Sequence, residues 1–277
     1  MGILSTMNTF LFDLDGVIYR DRERVPFAAE AIATLRAAGH RILFATNNAT
    51  RLRTEFAERI AEAGVPARPE EIATSASATA EYLRTLESQP RTAIVVGSPA
   101  LKTELEDAGI RVLDSNVGLE VQPDVVVASL DRDLTYEKLA RAQHAVLRGA
   151  LLVATNRDPQ FPGANGRIWP GAGTIVAALE AACRRSAVSI GKPGPLLYRT
   201  LLSATGADPA RTIVVGDSLV TDIPAAVAMG LASVLVLTGV TSRAELARSD
   251  VVPTLVLEDL SGLAAMDTDT LLPSRAP

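Results

Sequence analysis

Short apolar runs alternate with amphipathic segments along most of the chain. The runs have the length of buried strands, and the segments between them repeat apolar residues at helical spacing. Predicted strands cover residues 10–12, 41–45, 93–97, 124–130, 151–154, 188–190, 212–215 and 233–237. Predicted helices cover residues 27–38, 52–63, 73–86, 99–108, 135–148, 174–185, 196–204 and 223–229. Alternation of this kind, with short connections, indicates an α/β fold with a doubly wound parallel sheet.

Glycine and proline interrupt the pattern between residues 158 and 173, which we predict to be a loop. The polar tail after Met266 is expected to fray. No low-complexity linker divides the chain, so a second domain would have to be inserted between strands of the first. We therefore predict a core of residues 1–80 plus 189–277 and an inserted α/β domain of residues 81–188.

Composition excludes several classes of protein. Hydrophobic residues make up 48% of the chain, which is enough for a sizeable core, and the net charge of −5 argues against a nucleic-acid partner. One cysteine excludes an intramolecular disulfide and fits a reducing compartment, and two histidines argue against a histidine-ligated zinc site. Residues 1–8 do not resemble a signal peptide, and no apolar run approaches the roughly 20 residues of a membrane helix. We expect a cytoplasmic protein without a membrane partner.

The most informative stretch begins as a buried strand and ends in two carboxylates, Asp13 and Asp15, followed by Gly16. Because Gly16 indicates a turn, both acids are expected at the carboxyl edge of the sheet, where open α/β sheets bind ligands. One aspartate there can attack a phosphoryl group, and a second can exchange protons with the leaving group and with water. The alternative is a strand that ends in an ordinary Asp-rich turn.

Two further polar stretches follow predicted strands. Thr46, Asn47 and Asn48 offer a hydroxyl, amides and backbone N–H groups to an anion, although they could instead cap the next helix. Lys192 could stabilise charge on a transferring phosphoryl group, or it could be a solvated surface lysine.

Asp217 and Asp222 form the last of the four stretches. They could contribute to a site for Mg²⁺, which prefers hard oxygen ligands, or form a loop before a capped helix. A carboxylate that attacks a phosphate dianion faces electrostatic repulsion, which a divalent cation and a lysine would offset. The four stretches together supply an acid pair, a threonine, a lysine and a further acid. We therefore interpret them as one site for phosphoryl transfer.

Four motifs resemble those of the haloacid dehalogenase superfamily of hydrolases. They are Asp13-Leu14-Asp15-Gly16-Val17, Thr46-Asn47-Asn48, Gly191-Lys192-Pro193 and Gly216-Asp217 through Asp222. Residues 130–136 and 154–158 are similar to subgroup IIA, which includes the NagD-like phosphatases, p-nitrophenylphosphatases and phosphoglycolate phosphatases. The resemblance extends from about residue 9 to residue 260.

The resemblance implies a Rossmannoid core with an inserted α/β cap of the C2 type. It also implies a Mg²⁺-dependent phosphomonoesterase that acts through an aspartyl-phosphate intermediate. By position in the motifs, Asp13 would be the nucleophile and Asp15 the general acid and base. Mg²⁺ would be held by the Asp13 carboxylate, the main-chain carbonyl of Asp15 and Asp217.

The resemblance also assigns the remaining motif residues. The phosphate would be bound by Thr46, Asn47, Asn48 and Lys192. Lys192 would also be catalytic, and Asp222 would orient Lys192 or the surroundings of the metal. Mammalian relatives carry a substrate-contacting histidine where this chain has Asp133. Asp133 would repel a second acidic group on the substrate, but Arg132 beside it could offset this charge, so the sign of the local field stays open.

The substrate class implied is a small phosphorylated metabolite, whose identity the sequence does not specify. Caps of this type often pair, so a homodimer through the cap is expected. Two alternatives stay open at this stage: a phosphate-binding or phospho-aspartate switch module without turnover, and a phosphomutase.

Overall fold

The computed structural model describes residues 7–114, 118–162 and 167–272. The strands are β1 (Thr9–Phe12), β2 (Tyr19–Arg20), β3 (Glu23–Arg24), β4 (Arg41–Thr46), β5 (Ile72–Thr74), β6 (Thr92–Val96), β7 (Arg111–Val112), β8 (Val125–Ala128), β9 (Leu151–Ala154), β10 (Gln160–Pro162), β11 (Ile168–Pro170), β12 (Val188–Ser189), β13 (Thr212–Gly216), β14 (Ala232–Val236) and β15 (Leu255–Leu257). The α-helices are α1 (Ala28–Ala37), α2 (Arg53–Glu62), α3 (Ser75–Arg84), α4 (Pro99–Asp107), α5 (Tyr136–Leu147), α6 (Ala172–Cys183), α7 (Leu196–Thr205), α8 (Asp222–Val227) and α9 (Arg243–Leu246). Within these described ranges, no helix is both long enough and apolar enough to cross a bilayer.

The elements form two compact units. The core unit comprises Met1–Thr46, Arg53–Ala73 and Lys192–Pro277, and the inserted unit comprises Asn47–Leu52 and Thr74–Gly191. The assignment of a catalytic role to the core and of a cap role to residues 81–188 stays a prediction.

The core unit is built on a six-stranded sheet of order β15-β14-β13-β1-β4-β5. Strand β1 lies between β13 and β4 and is parallel to both, with Thr9 opposite Thr212 on one side and Arg41 on the other. Strands β14 and β15 continue the parallel arrangement beyond β13. Since the chain leaves β1 in one direction to β4 and later returns on its other side, the topological switch point lies at the carboxyl end of β1.

Aromatic and branched side chains explain why β1 is central. Phe10 and Phe12 are fully buried and stack with ring centroids 6.2 Å apart, and Phe12 lies 6.3 Å from the ring of Phe44 on β4. A strand buried on both faces reads as a continuous apolar run, which matches the sequence of β1.

The inserted unit has its own five-stranded sheet of order β12-β9-β8-β6-β7, in which every neighbouring pair is parallel. Helices α5 and α6 pack on this sheet through small and branched residues such as Ala142, Val146, Ile175 and Leu179. The predicted α/β class with helices on parallel sheets is therefore confirmed.

Two local predictions need correction, and one strand was not predicted. Within 158–173, β10 and β11 form an antiparallel pair with Phe161 opposite Trp169, so this stretch is not simply a loop. Strand β15 is short and half-buried, and its pairing with β14 was not evident from its apolar pattern. The tail does not fray at Thr268–Leu271, which forms a 3₁₀ helix, because Asp269 accepts hydrogen bonds from Asn8 and Arg211. Residues 273–277 lie outside the described ranges.

Asp124 joins the start of β6 to β8 in the inserted unit. Its Oδ2 accepts hydrogen bonds from Arg91 N at 2.8 Å, Thr92 N at 2.9 Å and Thr92 Oγ1 at 2.8 Å. Partial burial acts to raise the pKa of Asp124, but these hydrogen bonds outweigh it and the pKa lies below its ordinary value.

We expect Asp124→Ala to lower the free energy of unfolding of the inserted unit by about 1–2 kcal/mol at neutral pH. A depressed folded-state pKa contributes stability that is present above the unfolded pKa of 3.8 and lost as the pH falls through the folded value. Urea unfolding at about pH 7 and about pH 2.5 measures this, and the difference between wild type and variant should shrink in acid. An equal difference at both pH values would contradict the assignment.

Candidate active site

Asp13 extends the buried strand β1 by one residue. Its backbone N–H donates to Val215 O at 2.9 Å, so the ladder to β13 continues up to the carboxylate. Beyond it the chain turns back, with Gly16 N donating to Tyr19 O at 2.8 Å. Asp13 is buried and Asp15 is exposed. The two acids of the motif therefore have different surroundings.

Lys192 is buried between two carboxylates of the core unit. Its Nζ lies 2.6 Å from Asp13 Oδ1 and 2.7 Å from Asp222 Oδ1, and it lies 3.4 Å from the carbonyl of Ala45. Burial opposes the charged form, but the charges of Asp13 and Asp222 outweigh it and hold the pKa of Lys192 well above its ordinary value. The interpretation of Lys192 as a solvated surface lysine is therefore wrong.

Both oxygens of Asp222 are engaged by the chain. Besides Lys192, Oδ1 accepts from the hydroxyl of Tyr198 at 3.3 Å, and Oδ2 accepts from Ser218 N at 3.1 Å. Tyr198 lies on the buried face of α7 among leucines, where its periodicity gave no sign of a polar partner. A buried tyrosine hydroxyl needs such a partner, but only the fold identifies Asp222 as the acceptor.

Three carboxylates converge in the core unit. Asp13, Asp217 and Asp222 each offer one oxygen, and these oxygens all lie within 4.8 Å of one another. Burial and the neighbouring charge of Asp222 raise the pKa of Asp217 to about 7, against a hydrogen bond from Val240 N. Burial also raises the pKa of Asp13 well above its ordinary value, and Asp222 and Asp217 add to this against the charge of Lys192.

This cluster fits a divalent cation. Three buried carboxylates share one ammonium, so the group carries excess negative charge whenever all three are ionised, and burial disfavours that state unless a cation balances it. Carboxylate oxygens are the hard donors that Mg²⁺ prefers.

Gly16 and Gly239 have no side chain that would overlap the carboxylate of Asp217. A Cβ on Gly239 would lie 1.7 Å from Asp217 Oδ2, and a Cβ on Gly16 would lie 2.3 Å from the same oxygen. Gly16 also has φ +82°, a backbone conformation that other residues rarely adopt. Gly16 was predicted to form a turn, whereas the role of Gly239 was not predicted.

The threonine–asparagine stretch is divided between the two units. Thr46 is the buried last residue of β4 in the core unit, and Asn47 and Asn48 belong to the inserted unit. Asn48 Oδ1 accepts from Thr50 N at 2.9 Å and from Thr50 Oγ1 at 2.7 Å. Asn48 thus caps a turn that lies before α2 rather than the helix itself. The predicted phosphate contacts of these residues stay predictions.

Asp133 lies in a turn of the inserted unit. Its N–H donates to Asp131 Oδ1 at 2.9 Å, and its carbonyl accepts from Lys138 Nζ at 2.8 Å. Lys138 also pairs with Asp131 at 2.9 Å. The Asp133 residue is exposed, and its contact with substrate stays a prediction. Asp131, which is buried, shapes this turn.

Comparisons with known proteins agree with this geometry. A sequence profile described as "Haloacid dehalogenase-like hydrolase" matches residues 10–111, and a profile for HAD-like hydrolases matches residues 189–263. The chain is 36% identical to the glycerol-3-phosphate phosphatase of Gallus gallus over 95% of this chain and 92% of that protein.

Solved structures similar to this chain also include phosphatases. The p-nitrophenyl phosphatase from Archaeoglobus fulgidus superposes with a TM-score of 0.86 and 31% identity, covering 94% of this chain and 98% of that one. The glycerol phosphate phosphatase of Mycobacterium tuberculosis, solved in complex with magnesium, has a TM-score of 0.86 and 34% identity, covering 98% of this chain and 81% of that one. These findings confirm the predicted resemblance to subgroup IIA and the predicted enzyme class, a phosphatase.

The raised pKa of Asp217 makes the stability of the metal-free protein depend on pH. The folded state holds this proton more tightly than the unfolded state, so the contribution is fully present below pH 3.8 and lost as the pH rises through about 7. Thermal unfolding in chelator should show a falling Tm across this window, with a flatter profile for Asp217→Asn. The same slope in Asp217→Asn would show that another group is responsible.

Gly239→Ala is expected to displace the Asp217 carboxylate and to weaken Mg²⁺ binding about tenfold or more, since the new methyl occupies the position of Oδ2. Calorimetric titration with Mg²⁺ measures the change. The matched control is Gly230→Ala, where φ is +67° and a Cβ meets nothing within 4 Å. The control should cost about 1 kcal/mol of stability and leave Mg²⁺ affinity unchanged. Unaltered affinity in Gly239→Ala would exclude Asp217 as a ligand of the candidate metal site.

Proposed function

The chain belongs to the haloacid dehalogenase-like hydrolases, and from that premise we propose that it is a Mg²⁺-dependent phosphatase of small phosphorylated metabolites that acts through an aspartyl-phosphate on Asp13. The observation that carries the proposal is the Lys192 ammonium, held 2.6 Å from Asp13 inside a group of three buried carboxylates. A lysine in such a position lowers the repulsion between an attacking carboxylate and a phosphate dianion.

In the first step, a carboxylate oxygen of Asp13 forms a bond to phosphorus while the bond from phosphorus to the ester oxygen breaks. Lys192 stays protonated at this stage, because Asp13 and Asp222 keep its pKa high. It can therefore donate hydrogen bonds to the transferring group throughout. Asp222 holds the ammonium in place, with its own oxygens fixed by Tyr198 and Ser218.

Asp15 acts first as the general acid and then as the general base. Its exposed position fits a group that gives a proton to the leaving alkoxide and then takes one from water. That water attacks phosphorus in the second step, which releases inorganic phosphate and restores the free Asp13 carboxylate.

Mg²⁺ would be held by Asp13, the main-chain carbonyl of Asp15 and Asp217. When bound, it would supply positive charge to the phosphate oxygens and to the attacking carboxylate. Asp217 is suited to this role because Val240 N fixes its Oδ2 at 2.7 Å and because glycines surround it.

The phosphate would be bound by Lys192 together with Thr46, Asn47 and Asn48. Residues 81–188 would act as the cap, and Asp133 in its turn would influence which substrates are accepted. The relatives named above include glycerol phosphate phosphatases, which supports a small polyol phosphate as substrate.

The remaining elements of the proposal concern partners and location. We propose pairing of two copies through the cap, no nucleic-acid partner and a cytoplasmic site of action. The net charge of −5 supports the absence of a nucleic-acid partner, and the single cysteine supports a reducing compartment.

Asp13→Asn is expected to reduce phosphate release from p-nitrophenyl phosphate about a thousandfold or more, because an amide cannot form the acyl phosphate. Asp15→Asn should also lose turnover while still binding phosphate, whereas a switch module would not depend on this acid. Release of phosphate in the presence of Mg²⁺, measured over a panel of phosphate esters, tests both variants. Activity that survives Asp13→Asn would eliminate Asp13 as nucleophile.

A further inference from the structure

One carboxylate oxygen in the inserted unit holds two amide side chains. Oδ2 of the half-buried Asp158 accepts hydrogen bonds from Asn47 Nδ2 at 3.0 Å and from Asn156 Nδ2 at 2.6 Å. Hydrogen bonds to an ionised carboxylate are stronger than those between neutral groups. Asp158 therefore sets the direction of the Asn47 side chain.

The rest of Asn47 is confined as well. Its carbonyl oxygen accepts from Ser75 Oγ at 2.6 Å. A Cβ on Gly191 would lie 2.6 Å from Asn47 Oδ1, so only glycine leaves room for the amide there. Asn47 is thus held at its amide nitrogen and carbonyl, and its amide oxygen packs closely against Gly191.

Buried polar contacts also support Asp158 itself. Thr155 follows β9 and is fully buried, with its hydroxyl 2.8 Å from Ser129 Oγ and 3.0 Å from Asn156 Oδ1. The main-chain carbonyl of Asp158 accepts from Gly173 N at 2.9 Å, in the first turn of α6. A carboxylate on such a support can hold a partner in one geometry, which positioning requires.

From these contacts we infer that Asp158 is a positioning residue for phosphate binding that acts through Asn47. The inference rests on the proposed function, in which the stretch from Thr46 to Asn48 binds the phosphate. In this role Asp158 makes no contact with substrate. By anchoring the side chain of Asn47, it keeps the main chain of Asn47 in one orientation. Donors that are already ordered bind an anion without the cost of ordering them.

Removal of the carboxylate should affect binding more than chemistry. Asp13, Lys192 and Asp217 belong to the other unit and keep their own contacts. We expect Asp158→Ala to raise the KM for p-nitrophenyl phosphate, and the Kd for inorganic phosphate, about tenfold, with kcat within about threefold of wild type. Asp158→Asn retains an acceptor oxygen and should recover part of the affinity.

The experiment compares Asp158→Ala, Asp158→Asn, Asn47→Ala and the double variant of Asn47→Ala with Asp158→Ala in the full chain. Steady-state kinetics give KM and kcat, and calorimetric titration with inorganic phosphate in Mg²⁺ gives Kd without turnover. Asp124→Ala is the control, because it also removes hydrogen bonds to a carboxylate in the same unit, but at residues 91 and 92. It should lower the Tm and leave KM unchanged.

The expected result is that the double variant binds phosphate no more weakly than Asn47→Ala alone, since both substitutions remove one interaction. Additive losses, or a KM in Asp158→Ala that equals that of Asp124→Ala, would overturn the inference. If the wild type releases no phosphate from any ester, the proposed function fails. The phosphate Kd values of the variants would still decide the role of Asp158.

Discussion

The ammonium of Lys192 between two buried carboxylates is the interaction on which the active site depends. It joins Asp13 at the end of β1 to Asp222 at the start of α8, across sequence separations of 179 and 30 residues. Transfer of these charges out of water is costly, and removal of one partner typically costs about 3–5 kcal/mol because the other is left buried and unpaired. The ion pair between Lys192 and Asp13 therefore contributes to the stability of the core unit, and it also holds the carboxylate that we propose as nucleophile.

The position of this ion pair follows from the sheet. Strand β1 lies between β13 and β4, so the residues after three adjacent parallel strands meet at one edge. Asp13 follows β1, Asp217 follows β13, and Thr46 ends β4. Only a parallel arrangement aligns the carboxyl ends in this way, and open α/β sheets bind ligands outside the carboxyl ends of their strands at such a switch point.

The inserted unit also places polar groups after parallel strands, but these groups make different interactions from those in the core unit. Its polar groups also follow parallel strands: Ser129 and Asp131 come after β8, and Thr155, Asn156 and Asp158 come after β9. Here the carboxylates bind neutral amides and one lysine instead of forming an acidic cluster. Groups of this kind order turns and can hold Asn47, whereas the excess negative charge in the core unit is suited to a cation.

Much of this protein could be predicted from its sequence, because strand and helix periods and motif spacing are local properties. The apolar run of β1, the paired acids after it and the motif around Lys192 predicted an α/β fold and a phosphatase of the haloacid dehalogenase family. The pairing of β10 with β11, the 3₁₀ helix at Thr268–Leu271 and the space that Gly239 leaves for Asp217 depend on partners far away in the chain.

The hydroxyl of Tyr198 and the carboxylate of Asp158 also depend on partners that the local sequence does not reveal. Neither residue stands out in its own stretch of sequence. The role of each follows from its hydrogen-bond partner in the fold, which is Asp222 for Tyr198 and Asn47 for Asp158. The sequence by itself determined which chemical groups the protein has and which strands carry them. Only the tertiary structure decided which groups are in contact. Hydrogen bonds and ion pairs act over a few ångströms in space, and their strength does not depend on how far apart the two residues are along the chain.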